Sequence, residues 1–252
     1  YFPLHLASAP GEELLRVENL TSPGRLEAVS FSLRAGEVLG LAGLMGSGCS
    51  ALVETLFGLR FMTAGRVQLD GRVLLMQGPR AAIHAGIGYV PDDRKNAGIL
   101  PDLSVLHNIT IGVLDRLRRG VVVDARKERA VMDEYGQKLS IRYSSAAQRV
   151  SGLSGGNQQK VVLAKSLAAE SNILIFDEPT RGIDVGTKQE IYRLMCDLAN
   201  HGIAILMISS DMEELLGMSD RIIVLCEGRM AGEVKREQFS QDRILDLASG
   251  TL

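Results

Sequence analysis

Residues 43–50 read GLMGSGCS and follow the spacing of a phosphate-binding loop: Gly43, four residues, Gly48, one further position, and a hydroxyl at Ser50. Gly43, Gly46 and Gly48 let the backbone turn tightly enough for successive N–H groups, those of Leu44, Met45 and Ser47 among them, to point inward at anionic oxygens. A helix start behind such a loop adds its positive end, and Ser50 is placed to put its hydroxyl on a magnesium ion. The lysine of the pattern is missing. Cys49 stands in its place, and a thiol at a helix N-terminus is expected to ionise more readily than usual. Taken alone, the same glycines also fit an ordinary strand-to-helix turn.

Two more groups have types and spacing suited to the same chemistry. Asp177 and Glu178 follow the apolar run 173–176, so Asp177 lies where a strand end can hold magnesium and Glu178 where it can orient or deprotonate a water; the bland alternative is a solvated acidic loop. Ser154, Gly155 and Gly156 precede a helical stretch and make a second anion cradle, with a serine N-cap, close backbone approach and a helix dipole behind. A second cradle in one chain is understandable if it serves a nucleotide held by another domain.

The elements that must position these groups are legible in the periodicity. Residues 14–20 and 28–33 alternate with period two, as half-buried strands do, and the apolar run 38–42 feeds the glycine loop, with a helical run at 51–57 behind it. Asp70-Gly71 marks a hairpin in the stretch from Gly65. From Pro91 the texture changes to a charged loop, Asp92 to Lys95, and then to helices over roughly 105–139, as if a helical segment were inserted between two pieces of one sheet. Strand texture returns at 173–176, a helix is expected over 188–200, a strand over 203–208, a shorter helix from about Asp211, and a last strand at 221–226 turning through Glu227 and Gly228. Strands alternating with helices predict a parallel, doubly wound sheet, which binds ligands at the C-terminal ends of its strands.

Composition narrows the class. The chain has 252 residues, 46% hydrophobic and 23% charged, which is the make-up of a globular protein of one large domain or two small ones with room for a sizeable core. A formal net charge of -2 provides no general basic field for nucleic acid. Three cysteines, Cys49, Cys196 and Cys226, lie far apart without metal-ligand spacing, which fits a reducing, cytoplasmic setting; Cys196 and Cys226 read as small core residues. The longest apolar runs are strand-sized, well short of the 18 or so residues of a spanning helix, so any membrane role is expected to be borrowed from a partner. No secretory signal is evident; residues 1–13 read as a linker, and the absence of an initiating methionine suggests a longer natural chain. His84 and His107 read as surface or packing residues, and Arg116, Arg118 and Arg119 as a solvated helix face or loop.

LSGGNQQK followed by ILIFDEPT is similar to the signature and Walker B sequences of ABC-type ATPases. GIGYVPDDRK, LSGGNQQKV, DEPTRGIDVG and ISSDMEEL, in that order, resemble the C-terminal half of the tandem ATPases that energise bacterial sugar importers, over about residues 15–245. The resemblance implies an α/β P-loop NTPase fold with a RecA-like parallel sheet core, an antiparallel β subdomain and an inserted helical subdomain at about 92–166, the whole nucleotide-binding domain covering 14–245. It implies ATP and Mg2+ as cofactors, bound by residues 43–50, with Ser50, Asp92 and Asp177 at the metal and Glu178 catalytic. Ser154, Gly155, Gly156, Asn157 and Gln158 form the signature that faces a nucleotide on a second ABC ATPase domain, expected in the N-terminal half of the same natural chain. Asp184 matches the aspartate that addresses the opposite site, and Ser210 stands where the family usually has a histidine on the γ-phosphate. No aromatic residue lies between Pro3 and Val29, so the usual adenine-stacking ring is not evident.

The implied partners are transmembrane permease subunits and, indirectly, a periplasmic solute-binding protein, with the chain peripheral on the cytoplasmic face of the membrane and no nucleic acid bound. Two other functions compete: a non-hydrolytic structural or regulatory nucleotide-binding module, and a soluble ABC ATPase acting on nucleic acid or the ribosome. The latter would normally show a long coiled-coil insertion or a basic arm, and neither is present.

Overall fold

The alternating N-terminal residues form a long antiparallel pair, β1 (Glu13–Ser22) and β2 (Leu26–Arg34), in a computed structural model that describes residue 2 and residues 11–251. Most of the expected 1–13 linker lies outside the described residues. Its last part does not behave as a linker, because Gly11 N–H donates to the Ala35 carbonyl and β1 begins at Glu13. The chain continues through β3 (Val38–Gly43), α1 (Cys49–Leu56), β4 (Ala64–Leu69), β5 (Arg72–Val73), α2 (Pro79–His84) and β6 (Ile87–Val90). Next come α3 (Val105–Thr110), α4 (Leu114–Leu117), β7 (Arg118–Arg119), β8 (Val122–Val123), α5 (Ala125–Lys138) and α6 (Gly155–Ala168). The last third comprises β9 (Ile173–Asp177), α7 (Val185–Asn200), β10 (Ala204–Ile208), α8 (Met212–Met218), β11 (Arg221–Cys226), β12 (Arg229–Lys235) and α9 (Gln241–Ser249).

Three sheets result among the described residues. A six-stranded sheet has the order β12-β11-β3-β10-β9-β6 and is parallel except for β12, which returns antiparallel as an edge strand. A four-stranded antiparallel sheet, β2-β1-β4-β5, packs on one of its faces, and β7 and β8 make a small separate hairpin. The hairpin corrects the expectation of helices throughout 105–139. Gly120, with φ 67°, turns the chain between its two strands, and the Asp124 side chain then caps α5. Arg118 and Arg119 therefore sit on a short strand, while Arg116, in α4, pairs with Glu170. Helix α7 starts three residues before the expected 188, because Asp184 accepts from Thr187 N–H and so caps it.

The central strands are apolar on both faces, and their alternation divides the core. Val38, Leu174, Phe176, Ile205, Met207, Ile222 and Val224 point to the side covered by α3 and α5–α9. Leu39, Leu41, Ile173, Ile175, Leu206, Ile223 and Leu225 point to the side covered by α1 and the antiparallel sheet. Strands buried on both faces read as continuous hydrophobic runs, which is why 173–176 and 221–226 were legible as strands. His84 and His107 are exposed on α2 and α3, Cys196 is 4% exposed, and Cys226 is half-buried. No helix among the described residues is long and apolar enough to cross a membrane.

Phe176 is among the largest fully buried side chains and stands one residue before the acidic pair. Phe176→Ala is expected to lower unfolding stability by about 3–5 kcal/mol, measured by chemical denaturation. A loss below about 1 kcal/mol would show that the sheet face is less tightly packed than described.

Candidate functional site

Strands β3, β9 and β10 lie side by side and in parallel, so the segments that leave their C-terminal ends meet. Ile208, the last residue of β10, pairs with Leu41 on one side and Asp177 on the other. A cavity of about 590 Å³ opens there, lined by residues 43–50 together with Asp92, Asp177, Glu178 and Ser210. The structure thus gathers the loop, the acidic pair, the expected metal-side aspartate Asp92 and Ser210 around one space.

The glycine loop is built for an anion. Gly46 and Gly48 have φ 86° and 108°, and a Cβ on Gly43 would lie 2.2 Å from Ser47 Oγ and 2.7 Å from the Leu225 carbonyl oxygen. Helices α5 to α9 each begin with a side-chain oxygen accepting a backbone N–H of the first turn. Helix α1 does not: its N-cap is Gly48, which has no side chain to offer, and no acidic residue occupies the first turn. Its N–H groups and the positive end of its dipole face the cavity, where an anion can satisfy them.

Cys49 differs from expectation. Its side chain is buried, 9% exposed, and burial pushes the thiol up to about 11, with the Asp177 charge adding to the rise and the Ser47 hydroxyl only partly offsetting it. The helix N-terminus does not produce a thiolate, because the cost of desolvating a sulfur anion outweighs the dipole. The loop therefore carries a neutral thiol in the lysine position, neither attracting nor repelling phosphate.

The carboxylates have distinct surroundings. Asp177 is 7% exposed, and burial raises its pKa to about 6; the Tyr89 hydroxyl, which donates to Oδ2 at 2.8 Å, opposes that rise. Glu178 has φ 50°, a left-handed conformation unusual for a side chain of its kind, and its N–H donates to the Ile208 carbonyl at 3.0 Å. Its carboxylate is held at both oxygens by Ser210, by the backbone N–H at 2.7 Å and the hydroxyl at 3.0 Å. Asp92 accepts from Asp93 N–H and from Arg181 Nη1 at 3.2 Å. Ser50, Asp92 and Asp177 are hard oxygen donors that line the same cavity. Two carboxylates with a hydroxyl suit magnesium, which keeps water or substrate oxygens in its shell and needs no closed protein cage.

Signature residues lie elsewhere. Ser154 caps α6 and accepts from Asn157 N–H and Nδ2 at 3.5 and 3.0 Å, while Asn157 Oδ1 accepts from Arg142 N–H. Gln158 is buried and its Nε2 donates to the carbonyls of Val150 and Leu153, so it shapes the loop from beneath. A Cβ at Gly156 would come within 2.2 Å of Thr187 Cγ2, and one at Gly155 within 2.7 Å of Arg94 Nη2. None of residues 154–158 lines the first cavity; Gly155 and Gln158 border a second one of about 580 Å³ with Arg94 and Lys95. Asp184 is likewise outside the first cavity, and both its oxygens are occupied by Thr187.

Several further residues shape the site, none of which was assigned a role from the sequence. Arg25, Arg60 and Arg181 line the cavity from three separate segments. Tyr89 reaches Asp177 from the neighbouring strand, with its ring 5.1 Å from that of Phe57. Glu214, 1% exposed on α8, accepts from Thr180 Oγ1 at 2.9 Å and from Ser209 Oγ, and so ties the loop after the acidic pair to the loop after β10. Tyr89, Arg181 and Glu214 lie within GIGYVPDDRK, DEPTRGIDVG and ISSDMEEL, whereas Arg25 and Arg60 lie in none of these stretches.

The sequence model of the ABC transporter family matches residues 26–181. The chain belongs to the ABC transporter family. It is 45% identical over 249 residues to the ribose import ATP-binding protein RbsA of Halalkalibacterium halodurans, covering 99% of this chain and 50% of that protein. A ribose import ATP-binding protein of Chromobacterium violaceum is 49% identical over 243 residues, 96% of this chain and 48% of that one. The chain spans about half the length of these curated relatives. The fold is that of ABC cassettes: a nucleotide-free ATP-binding cassette of an ABC transporter superimposes with TM-score 0.80 at 22% identity, over 94% of this chain and 98% of that one. A dimeric ATP-binding cassette bound to ADP and Pi gives TM-score 0.74 at 23% identity, over 90% and 100%.

The raised pKa of this ABC domain's Asp177 makes a prediction whose sign follows from burial. Above pH 6 the folded state holds an ionised, desolvated carboxylate at a cost of no more than about 3 kcal/mol. As pH falls from about 6 toward 3.8, the folded state takes up a proton that the unfolded state does not, and the cost disappears. Asp177→Asn, melted in chelator, is expected to be more stable than the parent at pH 7.5, with the gain shrinking steadily toward pH 4. A gain independent of pH would show that charge burial is not its source.

Proposed function

We propose that the chain is one nucleotide-binding half of an ATPase that energises import of a sugar or related small polar solute, with ribose, named for its relatives, the leading candidate. The observation that carries this reading is the near-complete coverage of the chain by ribose import ATP-binding proteins, together with an anion-ready loop and hard-oxygen donors around one cavity. The nucleotide's phosphates would take the uncapped N–H groups of α1 and the 43–48 loop. Magnesium, held by Ser50, Asp177 and Asp92, would neutralise charge on the phosphate oxygens. Glu178 is the group placed to orient a water, and Ser210 holds its carboxylate.

The two half-sites of this chain are unequal. Its own loop carries the neutral Cys49, and Ser210 offers a hydroxyl but no cation to a terminal phosphate. The signature at Ser154, Gly155 and Gly156 keeps its full pattern and lies outside the first cavity, which is what service to a nucleotide on a second ABC ATPase domain requires. In this reading the chain's own site is slow or inert, and its main catalytic contribution is made to the partner. The chain attaches peripherally to the cytoplasmic face of the membrane through transmembrane permease subunits, indirectly serves a periplasmic solute-binding protein, and binds no nucleic acid. A purely structural module is the second reading, favoured by the Glu178–Ser210 clasp.

Two outcomes check the assignment. The 252-residue chain is expected to bind ATP about ten- to a hundredfold more weakly than a loop with its lysine, given about 1.5–3 kcal/mol for each charge-assisted phosphate contact; calorimetry giving micromolar affinity would refute this. In the assembled transporter, Gly156→Val is expected to abolish most ATPase turnover, because it drives a side chain into Thr187 and distorts the cradle. Glu178→Gln is expected to cost much less. If Glu178→Gln proves the more damaging in steady-state assays, this domain's own site turns over and the asymmetric reading falls.

A further inference from the structure

The cavity behind the glycine loop has carboxylates and no lysine: among the described residues, its cations are Arg25, Arg60 and Arg181. They are not equivalent. Arg60 is paired with Glu54 of α1. Arg25 sits in the turn between β1 and β2 and also lines an adjoining cavity of about 500 Å³ with residues 21–27, Gly46, Glu227 and Gly228. Arg181 lies three residues beyond Glu178, with its Nη1 3.2 Å from Asp92 Oδ2.

The anchoring of Arg181 is what separates it from an ordinary surface arginine. Its N–H donates to the Glu178 carbonyl at 3.1 Å, and its own carbonyl accepts from Arg94 Nη1 at 3.2 Å, so the backbone is held on both sides. The guanidinium, by contrast, has one partner among the described residues, Asp92, across an ion pair in which the two side chains are 67% and 41% exposed. An exposed pair of this kind is weak and is readily exchanged for a better one. A phosphate oxygen is a better partner for a planar guanidinium, and Asp92 is one of the carboxylates suited to magnesium. Arrival of a magnesium-bound phosphate therefore gives each member of the pair a new partner within the same cavity.

We propose that Arg181 supplies the terminal phosphate of a nucleotide with the positive charge that Cys49 does not, by exchanging Asp92 for a phosphate oxygen. The inference rests on the nucleotide reading above and goes beyond it in naming a phosphate-contacting residue that lies outside the loop. Arg181 is a binding residue of this chain's own half-site, and its charge offsets part of what the altered loop loses, leaving the site weaker than one with a lysine.

Competition against a fluorescent ATP analogue, with Mg2+ and either ATP or ADP, on the purified 252-residue chain and the variants Arg181→Gln, Arg181→Lys, Cys49→Lys and the Arg181→Gln/Cys49→Lys pair, tests it. Arg181→Gln is expected to weaken ATP binding by about tenfold and ADP binding by less than about twofold, with Arg181→Lys retaining most of the affinity. Cys49→Lys is expected to restore more affinity in the Arg181→Gln background than it adds to the parent, because the two cations serve one phosphate. Equal losses for ATP and ADP, no loss at all, or an equal Cys49→Lys gain in both backgrounds would overturn the assignment. Melting curves matching the parent exclude misfolding as the cause. If neither the parent nor Cys49→Lys binds ATP, the nucleotide reading of this cavity fails, and the role of Arg181 fails with it.

Discussion

The site depends on the parallel pairing of β3, β10 and β9. Backbone hydrogen bonds place Ile208 level with both Leu41 and Asp177, so three segments distant in sequence leave the sheet at one height. The glycine loop, the acidic pair and Ser210 follow directly from those ends. A one-residue slip of β10 would reverse its inward and outward side chains and separate Ser210 from Glu178. That register is enforced from both faces, since Ile205 and Met207 enter the helical side of the core while Leu206 and Ile208 enter the other.

On this frame the electrostatics are arranged around desolvation. Burial leaves Cys49 neutral and raises Asp177, while Tyr89 partly stabilises the carboxylate it touches. Beneath the cavity, Glu214 joins the loops that follow β9 and β10 through Thr180 and Ser209, which holds the mouth together although neither loop has regular structure. The unusual φ of Glu178 is tolerable because its N–H is fixed to β10 and its carboxylate to Ser210. Preorganisation of this kind fixes where charge can sit before any ligand arrives.

The signature is supported by a different set of contacts. Thr187 of α7 closes against Gly156, Arg94 lies against Gly155, and Lys160 pairs with Glu190 at 2.9 Å, linking α6 to α7. Arg94 also reaches the Arg181 carbonyl, so the segment after β6, the loop after the acidic pair and the start of α6 meet in one small region. The loop after the acidic pair and the start of α6 are thus mechanically adjacent even though the acidic pair and Gly155 border different cavities.

The main strands, the glycine loop, the acidic pair and the signature were determined by sequence alone, because each rests on local rules: period-two or continuous apolar runs, glycines where φ must be positive, and serine before a helix. The hairpin turns at Asp70-Gly71 and Glu227-Gly228 belong to the same class, both residues of each having positive φ. Helix starts and the short hairpin at 118–123 were less legible, since a cap or a two-residue strand leaves little periodicity. What tertiary structure alone decided is the ionisation and pairing of the groups in the cavity. The helix-terminus rule pointed Cys49 toward a thiolate, but burial, a property of everything packed around it, reversed the sign. Arg25, Arg60 and Arg181 come from loops far apart in the chain, and no spacing rule links them. Only the closing of the sheet brings their charges to one space, because Coulomb and hydrogen-bond energies depend on distance in the fold and not on separation along the sequence.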